Sequence, residues 1–267
     1  MASELIHNPV YLEKIKRFCL MDDTFMSKVF EDKKCAELLL KIILKKDLTV
    51  TEVISQCSVK NLQGRSARLD IYALDESGIH YNIEVQRSNG GAVPKRARYN
   101  SSLMDANISG IGEDYEALPE TYVIFITEND VLKGGQPLYT IHRKIEELDN
   151  QPFEDKSHII YVNGAIRDET ALGKLMQDFF CTETENMNYE VLAERAGYFK
   201  NDTKGVNSMC EIMEELKRDS ILEGIRKDKI EIAQNMLAEG TFALDLIARV
   251  TKLTIEEVQA LAEGRQI

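Results

Sequence analysis

Two acidic residues on neighbouring predicted strands are the strongest candidates for chemistry in this sequence. Asp70 lies in the apolar segment 69–74 and Glu84 in the segment 79–86, with a short turn between them. A carboxylate in an apolar strand is costly to bury unless something pairs with it. Two close carboxylates repel each other unless a proton or a cation lies between them. The pair therefore points to a hard divalent cation such as Mg²⁺ or Mn²⁺.

The length of the turn decides whether the two acids share a face of the sheet. If the loop is Glu76-Ser77-Gly78, Asp75 pairs with Ile79 and Asp70 lies directly opposite Glu84. A loop of two residues would place the acids on opposite faces. Gly78 favours the first register, because three-residue hairpin loops commonly end in a left-handed residue.

Strand alternation adds Gln86 to the two acids. His80, Asn82, Glu84 and Gln86 share one face of the second strand, so Asp70, Glu84 and Gln86 are expected to converge. The other interpretation is a polar side of an antiparallel sheet that faces solvent.

The elements that must position these residues follow one another in a mixed α/β pattern. Apolar residues at helical spacing after Asp22-Asp23-Thr24 predict one long helix to about residue 46. Strands are predicted at 48–59, 69–74, 79–86, 122–127 and 158–162. Further helices are predicted from Pro94 to about residue 110, at 170–180 and at 187–199. This order predicts a sheet covered by helices on both faces.

After residue 200 the pattern changes from mixed helices and strands to helices alone, and this change predicts a second domain. Helices are predicted at 208–239, 243–250 and 254–263, the last two with the spacing of a helix-turn-helix. The tail 201–267 carries 13 acids and nine bases, so its last helix is a poor DNA reader. We therefore predict a domain 1–200 and a helical tail 201–267 that serves dimerisation or regulation, with a possible homodimer through its helices.

Composition limits the class of protein. The 267 residues carry a net charge of −12, which disfavours nucleic-acid binding by the chain as a whole. Residues 60–100 reverse this locally, with seven bases against four acids. Five scattered cysteines and four histidines without metal-ligand spacing argue against a zinc enzyme. No apolar run approaches the roughly 20 residues of a membrane span, and no signal core is present, so we expect a cytoplasmic protein without membrane contact.

The order of these segments resembles the PD-(D/E)XK nuclease superfamily, whose mark is an Asp at a strand end and Glu-x-Lys on the next strand. The form Glu84-Val85-Gln86 is similar to that of its recombination-promoting nuclease and putative transposase branch. Further similar segments are 22–30, 68–71, 81–87, 96–99 and 112–115, and the likeness spans roughly residues 20–200. The resemblance implies a restriction-endonuclease-like core, a mixed central sheet flanked by helices.

The resemblance also implies a metal-dependent DNA endonuclease that hydrolyses phosphodiester bonds. Asp70 and Glu84 would ligate Mg²⁺ or Mn²⁺, with the Val85 carbonyl as a third protein ligand, and Asp70, Glu84 and Gln86 would be the catalytic residues. Gln86 replaces a lysine, and an amide carries no charge. Either it positions the attacking water while metal supplies the charge, or a nearby cation substitutes. The candidates for that cation are Arg68, Arg87 and Arg96.

DNA is the implied partner, and the basic residues near the hairpin would contact its phosphates. These residues are Arg68, Arg87, Lys95, Arg96 and Arg98. The helix that opens at Pro94 would add its N-terminal amides. The other interpretation is a surface basic turn paired with Glu113, Asp114 or Glu116.

Two further questions stay open at the level of sequence. Asp22 and Asp23 are helix caps in one interpretation, and either is a third metal ligand in the other. A nuclease fold without catalytic activity, which binds nucleic acid or a protein partner, is the alternative to the enzyme.

Overall fold

The computed structural model describes residues 8–61 and 64–265. The chain divides into two compact units, Met1–Met209 and Cys210–Ile267. The division falls within a helix, and the domain boundary near residue 200 stays a prediction. Within the described residues no helix is long and apolar enough to cross a membrane.

The first unit is built on a mixed sheet of six strands. The strands are β1 Val50–Val59, β2 Ala67–Asp75, β3 His80–Gln86, β4 Thr121–Thr127, β5 Leu138–Ile141 and β8 Ser157–Asn163, and a separate small pair consists of β6 Lys144–Ile145 and β7 Gln151–Pro152. The spatial order of the six strands is β1-β2-β3-β4-β8-β5, with β1–β2, β2–β3 and β5–β8 antiparallel and β3–β4 and β4–β8 parallel. The mixed sheet confirms the predicted fold class. Strands β5 to β7 were not predicted, because they are short.

Helices flank this sheet. In the first unit they are α1 Pro9–Arg17, α2 Asp23–Val29, α3 Lys33–Leu44, α4 Pro94–Ile108, α5 Ala171–Phe180 and α6 Glu190–Asn201. Helix α4 packs on β4 through Ala97, Leu103 and Met104, which share a core with Val123 and Phe125. This face of β4 is the face to which Glu84 of β3 belongs, since Glu84 pairs with Phe125.

The prediction of one helix from residue 22 to about 46 is wrong. The chain forms two helices, because the Asp32 side chain accepts the backbone N–H of Lys34 at 2.8 Å and begins α3 anew. The apolar spacing continues across the break, and this continuity is why periodicity alone joined the two helices.

The β2–β3 turn has the predicted form. Gly78 has a left-handed backbone with φ of 76°, and the Asp75 N–H donates to the Ile79 carbonyl at 3.1 Å. The Asp75 carboxylate accepts the N–H groups of Ser77 and Ile79, which fixes the turn from within. The pairs Tyr72–Asn82 and Ile71–Ile83 confirm the predicted register.

The second unit is helical. Helix α7, Thr203–Glu239, runs into it, and α8 Leu244–Thr251 and α9 Ile255–Ala262 follow. Ala233, Ile247, Leu253 and Val258 form its small core.

Candidate functional site

Asp70 lies where β2 leaves its pairing with β3. The last pair of the ladder is Ile71–Ile83, and Asp70 Oδ2 instead accepts the backbone N–H of Val85 at 2.9 Å. Gln56 lies in β1, which pairs with the other edge of β2, and it has a left-handed backbone with φ of 53°. The predicted direct pair of Asp70 and Glu84 is therefore wrong in detail, although the register that places them near each other is right. The Asp70 carboxylate reaches the backbone of β3 rather than standing opposite Glu84.

Glu84 lies on the covered face of β3. Its side chain has no solvent exposure, and Oε2 accepts a hydrogen bond from Arg96 Nη2 at 2.6 Å. The other oxygen, Oε1, has no hydrogen-bond partner within residues 8–61 and 64–265. Asn82, two residues earlier on the same face, is also fully buried. The interpretation of this face as a solvent-exposed polar side is therefore wrong, since α4 covers it.

The electrostatics of the two acids show a shortage of positive charge. Burial, and then the negative charge of Asp70, raises the pKa of Glu84 to about 8, while Arg96 opposes the rise. Burial also raises the pKa of Asp70 to about 6, against the lowering effect of the Val85 N–H. The charge of Asp23 raises the pKa of Asp70 further. A further cation close to Asp70 and Glu84 would therefore stabilise the ionised form of both carboxyl groups.

Gln86 and Arg96 complete the cluster. Gln86 Nε2 lies 3.5 Å from Asp70 Oδ2, and Gln86 Oε1 lies 3.4 Å from Arg96 Nη1. The same Nη1 donates to the carbonyl of Gly91 at 2.9 Å. A Cβ on Gly91 would lie 2.0 Å from Gln86 Oε1, so only glycine leaves room for the Gln86 amide in this position.

The donor set suits a hydrated Mg²⁺ or Mn²⁺. Mg²⁺ in proteins usually binds one or two carboxylates and keeps several waters. Asp70 and Glu84 supply two carboxylates, and Glu84 Oε1 is a buried oxygen without a partner. Because the N–H and C=O of one strand residue point to the same edge, the Val85 carbonyl also lies toward Asp70. Among the described residues no group of three or more His, Cys, Asp or Glu side chains could hold a metal, so waters would fill the remaining positions.

The acids at the start of α2 separate into two roles. Asp22 pairs with Arg87 at 3.1 Å and accepts the Cys19 N–H at 2.9 Å, so it is tied to its own loop. Although it occupies the N-cap position of α2, its side chain makes no capping bond. Asp23 accepts a hydrogen bond from the Gln56 amide at 2.9 Å, on the side of Asp70. Of the two acids, Asp23 is the one whose charge acts on Asp70.

The predicted phosphate-binding residues divide according to their contacts. Arg87 donates to the Met21 carbonyl at 3.2 Å as well as to Asp22, so its guanidinium is a structural tie. Arg68, Lys95 and Arg98 are exposed and make no ion pair among the described residues. Of the five basic residues, Arg96 is the one that contacts the acidic cluster.

The alternative pairing of the basic turn with the acids after α4 is not formed. Glu113 accepts the Gly110 N–H at 2.7 Å, and Asp114 accepts the Glu116 N–H at 3.1 Å. Glu113 and Asp114 therefore form hydrogen bonds within their own turns. The exposed bases of α4 remain available to an anionic ligand.

Three features of the site were missed at the level of sequence. These are the ion pair between Arg96 and Glu84, the glycine beside Gln86, and the left-handed Gln56 that holds Asp23. The Asn89–Ala92 segment forms a short 3₁₀ helix, and the Gly91 carbonyl within it accepts a hydrogen bond from Arg96. The sequence signal for this close approach was the pair Gly90-Gly91, which follows shortly after a strand that ends in polar residues.

Comparison with known proteins gives one family. Residues 25–170, more than half of the chain, match the model of a family described as PD-(D/E)XK nuclease family transposase. No match was found among curated proteins, nor among solved structures. The matched range contains all the strands of the described residues, α4, and the site residues Asp70, Glu84, Gln86 and Arg96, while Asp23 lies outside it.

Proposed function

Because the chain belongs to the PD-(D/E)XK nuclease family of transposases, we propose that it is a metal-dependent DNA endonuclease that hydrolyses phosphodiester bonds. The observation that carries the proposal is the pair of a partly buried Asp70 and a fully buried Glu84, whose raised pKa values, and a Glu84 oxygen with no hydrogen-bond partner among the described residues, favour a cation. A stabilising structural ion pair would instead have matched the two acids with two bases. Among the described residues one guanidinium, that of Arg96, pairs with Glu84, and no base pairs with Asp70.

Each residue of the cluster then has a role. Asp70, Glu84 and the Val85 carbonyl would hold Mg²⁺ or Mn²⁺, which would supply polarisation of the phosphate and activation of the attacking water. Gln86 offers an amide N–H₂ and a carbonyl oxygen, and these orient the attacking water. The water oxygen forms a bond to phosphorus, the P–O ester bond breaks, and the water proton ends on the released hydroxyl. Cleavage of this kind is the hydrolytic half of transposition, and we propose hydrolysis alone.

Exposed bases would bring the DNA to this site. Arg68, Lys95 and Arg98 have no ionic partner among the described residues, so phosphates would be their counterions. Lys95 lies in the first turn of α4, whose N-cap residue Val93 makes no side-chain capping hydrogen bond. A net charge of −12 makes such binding dependent on this local patch and sensitive to salt. All five cysteines are free thiols, which fits the reducing cytoplasm in which the reaction is proposed to occur.

Plasmid cleavage with Mg²⁺ or Mn²⁺ tests the proposal. We expect Asp70→Asn and Glu84→Gln each to reduce nicking by at least about a hundredfold, since each removes a ligand charge. Glu76→Gln is the matched control, because Glu76 lies on the same hairpin in the exposed turn. Equal nicking by all four proteins would assign the activity to a contaminant. DNA binding without cleavage by the wild type would favour the catalytically silent nuclease fold.

We also propose that the chain forms a homodimer through α7. This helix exposes Ile221, Leu222 and Ile225, which lie within one turn. Antiparallel pairing of two copies about these residues would place Asp219 of each copy opposite Lys227 of the other. Sedimentation analysis would then give a dimer for the wild type and a monomer for Ile221→Glu with Ile225→Glu. A wild-type monomer at high micromolar concentration would contradict the dimer.

A further inference from the structure

We propose that Arg96 is the catalytic cation of this site and that it changes partner during the reaction. In the structure it pairs with Glu84, and when a divalent cation takes the two carboxylates it is released to the scissile phosphate. It would thereby supply the positive charge that Gln86 lacks. This inference rests on the proposed nuclease function.

The contacts of Arg96 place it at the centre of the acidic cluster. Its Nη2 lies 2.6 Å from Glu84 Oε2, and its Nη1 lies 3.4 Å from Gln86 Oε1. Its two rivals lack such contacts, since Arg87 is bound to Asp22 and Met21, and Arg68 makes no ion pair among the described residues. A cation that substitutes for a lysine must lie beside the acids and Gln86, and Arg96 contacts Glu84 and Gln86 while its charge also acts on Asp70.

The difference in exposure within the ion pair indicates which partner meets DNA. The Glu84 side chain is 0% exposed, whereas that of Arg96 is 36% exposed. A phosphate approaching from solvent therefore meets the guanidinium and not the carboxylate. A planar guanidinium also suits a phosphate, which it can bind through two parallel hydrogen bonds.

Formal charges explain why the exchange is favourable. When both carboxyl groups are ionised, as at pH 8.5, Asp70, Glu84 and Arg96 together carry one net negative charge, and a divalent cation turns this into one net positive charge. The single negative charge of a phosphodiester then restores neutrality. With the cation on Glu84, the guanidinium no longer has a necessary partner there, and the phosphate becomes its best counterion.

An anchor keeps Arg96 in place during the exchange. The Gly91 carbonyl accepts Nη1 at 2.9 Å, and this bond does not involve either acid. The guanidinium can therefore leave Glu84 by rotating about a fixed point, without withdrawal of the side chain from the site.

Two measurements on Arg96→Gln separate this role from a structural one. The first is Mg²⁺ affinity without DNA, measured by calorimetry at about pH 8.5 so that protons compete less with the cation for Glu84. The second is the cleavage rate at saturating DNA and Mg²⁺. We expect Mg²⁺ to bind about fivefold to tenfold more tightly, because a competing ion pair is gone. We expect cleavage to fall by about a hundredfold or more, because a transition-state contact is lost. Arg17→Gln, at an exposed arginine that ends α1 and belongs to neither the acidic site nor the DNA-binding bases, removes the same charge and should leave both quantities within about threefold.

The exchange predicts that Arg96→Gln binds Mg²⁺ more tightly and at the same time cleaves DNA more slowly. If Arg96→Gln lost Mg²⁺ binding together with cleavage, Arg96 would be structural and the inference would fail. Wild-type cleavage by Arg96→Gln would also overturn it while leaving the nuclease function intact. If the wild type neither bound Mg²⁺ nor cleaved DNA, the nuclease function itself would fail, and this inference with it.

A second variant covers the case in which Arg96→Gln does not fold, as judged by near-ultraviolet circular dichroism. Arg96→Lys retains the charge but not the planar donor pair. We expect it to fold and to cleave at least about tenfold more slowly than the wild type at saturating Mg²⁺. A wild-type rate for this variant would contradict a direct contact between Arg96 and phosphate.

Discussion

Glu84→Gln should make the metal-free protein more stable at high pH than the wild type. Burial and the charge of Asp70 raise the pKa of Glu84 from its ordinary value of 4.5 to about 8. A carboxyl group with a raised pKa in the folded state holds its proton more tightly there than in the unfolded chain. The free energy of unfolding is therefore highest below pH 4.5 and falls as the pH rises through about 8.

The size of the effect follows from the same two values. At 1.36 kcal/mol for each pH unit between them, the ceiling is about 5 kcal/mol. Arg96 is partly exposed, and water that enters with it lowers this ceiling. We therefore expect Glu84→Gln to gain about 2–5 kcal/mol over the wild type between pH 5 and pH 9. Near pH 5 the two proteins should be alike, because a protonated Glu84 and a Gln have nearly the same shape and charge.

Tyrosine fluorescence during urea unfolding in a chelator is the appropriate assay. All ten tyrosines precede residue 210 and the chain has no tryptophan, so the signal reports on the first unit alone. Unfolding free energies of both proteins are compared at several pH values between 5 and 9. Parallel pH profiles for the two proteins would refute the reasoning. As a companion measurement, saturating Mg²⁺ should restore the stability of the wild type at pH 9, by about 2.7 kcal/mol at one hundred times its dissociation constant.

Three more outcomes can be measured directly. Lys95→Gln combined with Arg98→Gln should weaken DNA binding and reduce the slope of log affinity against log salt by about 2, and an unchanged slope would exclude both residues from phosphate contact. Gly91→Ala should lower the cleavage rate about tenfold or more without preventing folding, because its Cβ would fall 2.0 Å from Gln86 Oε1; a wild-type rate would show that the position of Gln86 is not required. Thr254→Ala should cost about 1 kcal/mol in far-ultraviolet unfolding of the second unit, because Thr254 and Glu257 cap α9 reciprocally, and no change would mean that this cap contributes little.

The hairpin was predictable because its determinants are local. Gly78 had to adopt a left-handed backbone, and the resulting turn fixes the register of β2 and β3. Strand alternation then placed Asn82, Glu84 and Gln86 on one face. Strand alternation could not predict that α4 covers this face, because α4 begins ten residues after Glu84 in the sequence. The same reasoning that found the acids therefore left open whether solvent reached them.

The remaining errors have physical reasons that lie beyond local pattern. The helix is interrupted at Asp32 because the Asp32 side chain accepts the backbone N–H of Lys34. The spacing of apolar residues does not reveal this hydrogen bond. The left-handed backbone of Gln56 is unfavourable for a residue with a side chain, so no propensity predicts it. The choice among Arg68, Arg87 and Arg96 depends on tertiary contacts. In each case a favourable long-range contact overrides the local preference.

The three-residue bend between Asp75 and Ile79 has an evolutionary consequence. Strand β3 is held in place by its parallel neighbour β4, and β2 by β1, so both would survive a change in the length of the connection. One codon gained there would therefore lengthen the bend and leave Asp70 on the side of Glu84, because neither strand has to slide along its outer neighbour. We expect the length of this bend to vary among chains that retain cleavage, so that the loss of cleavage is recognised from Asp70 and Glu84 themselves.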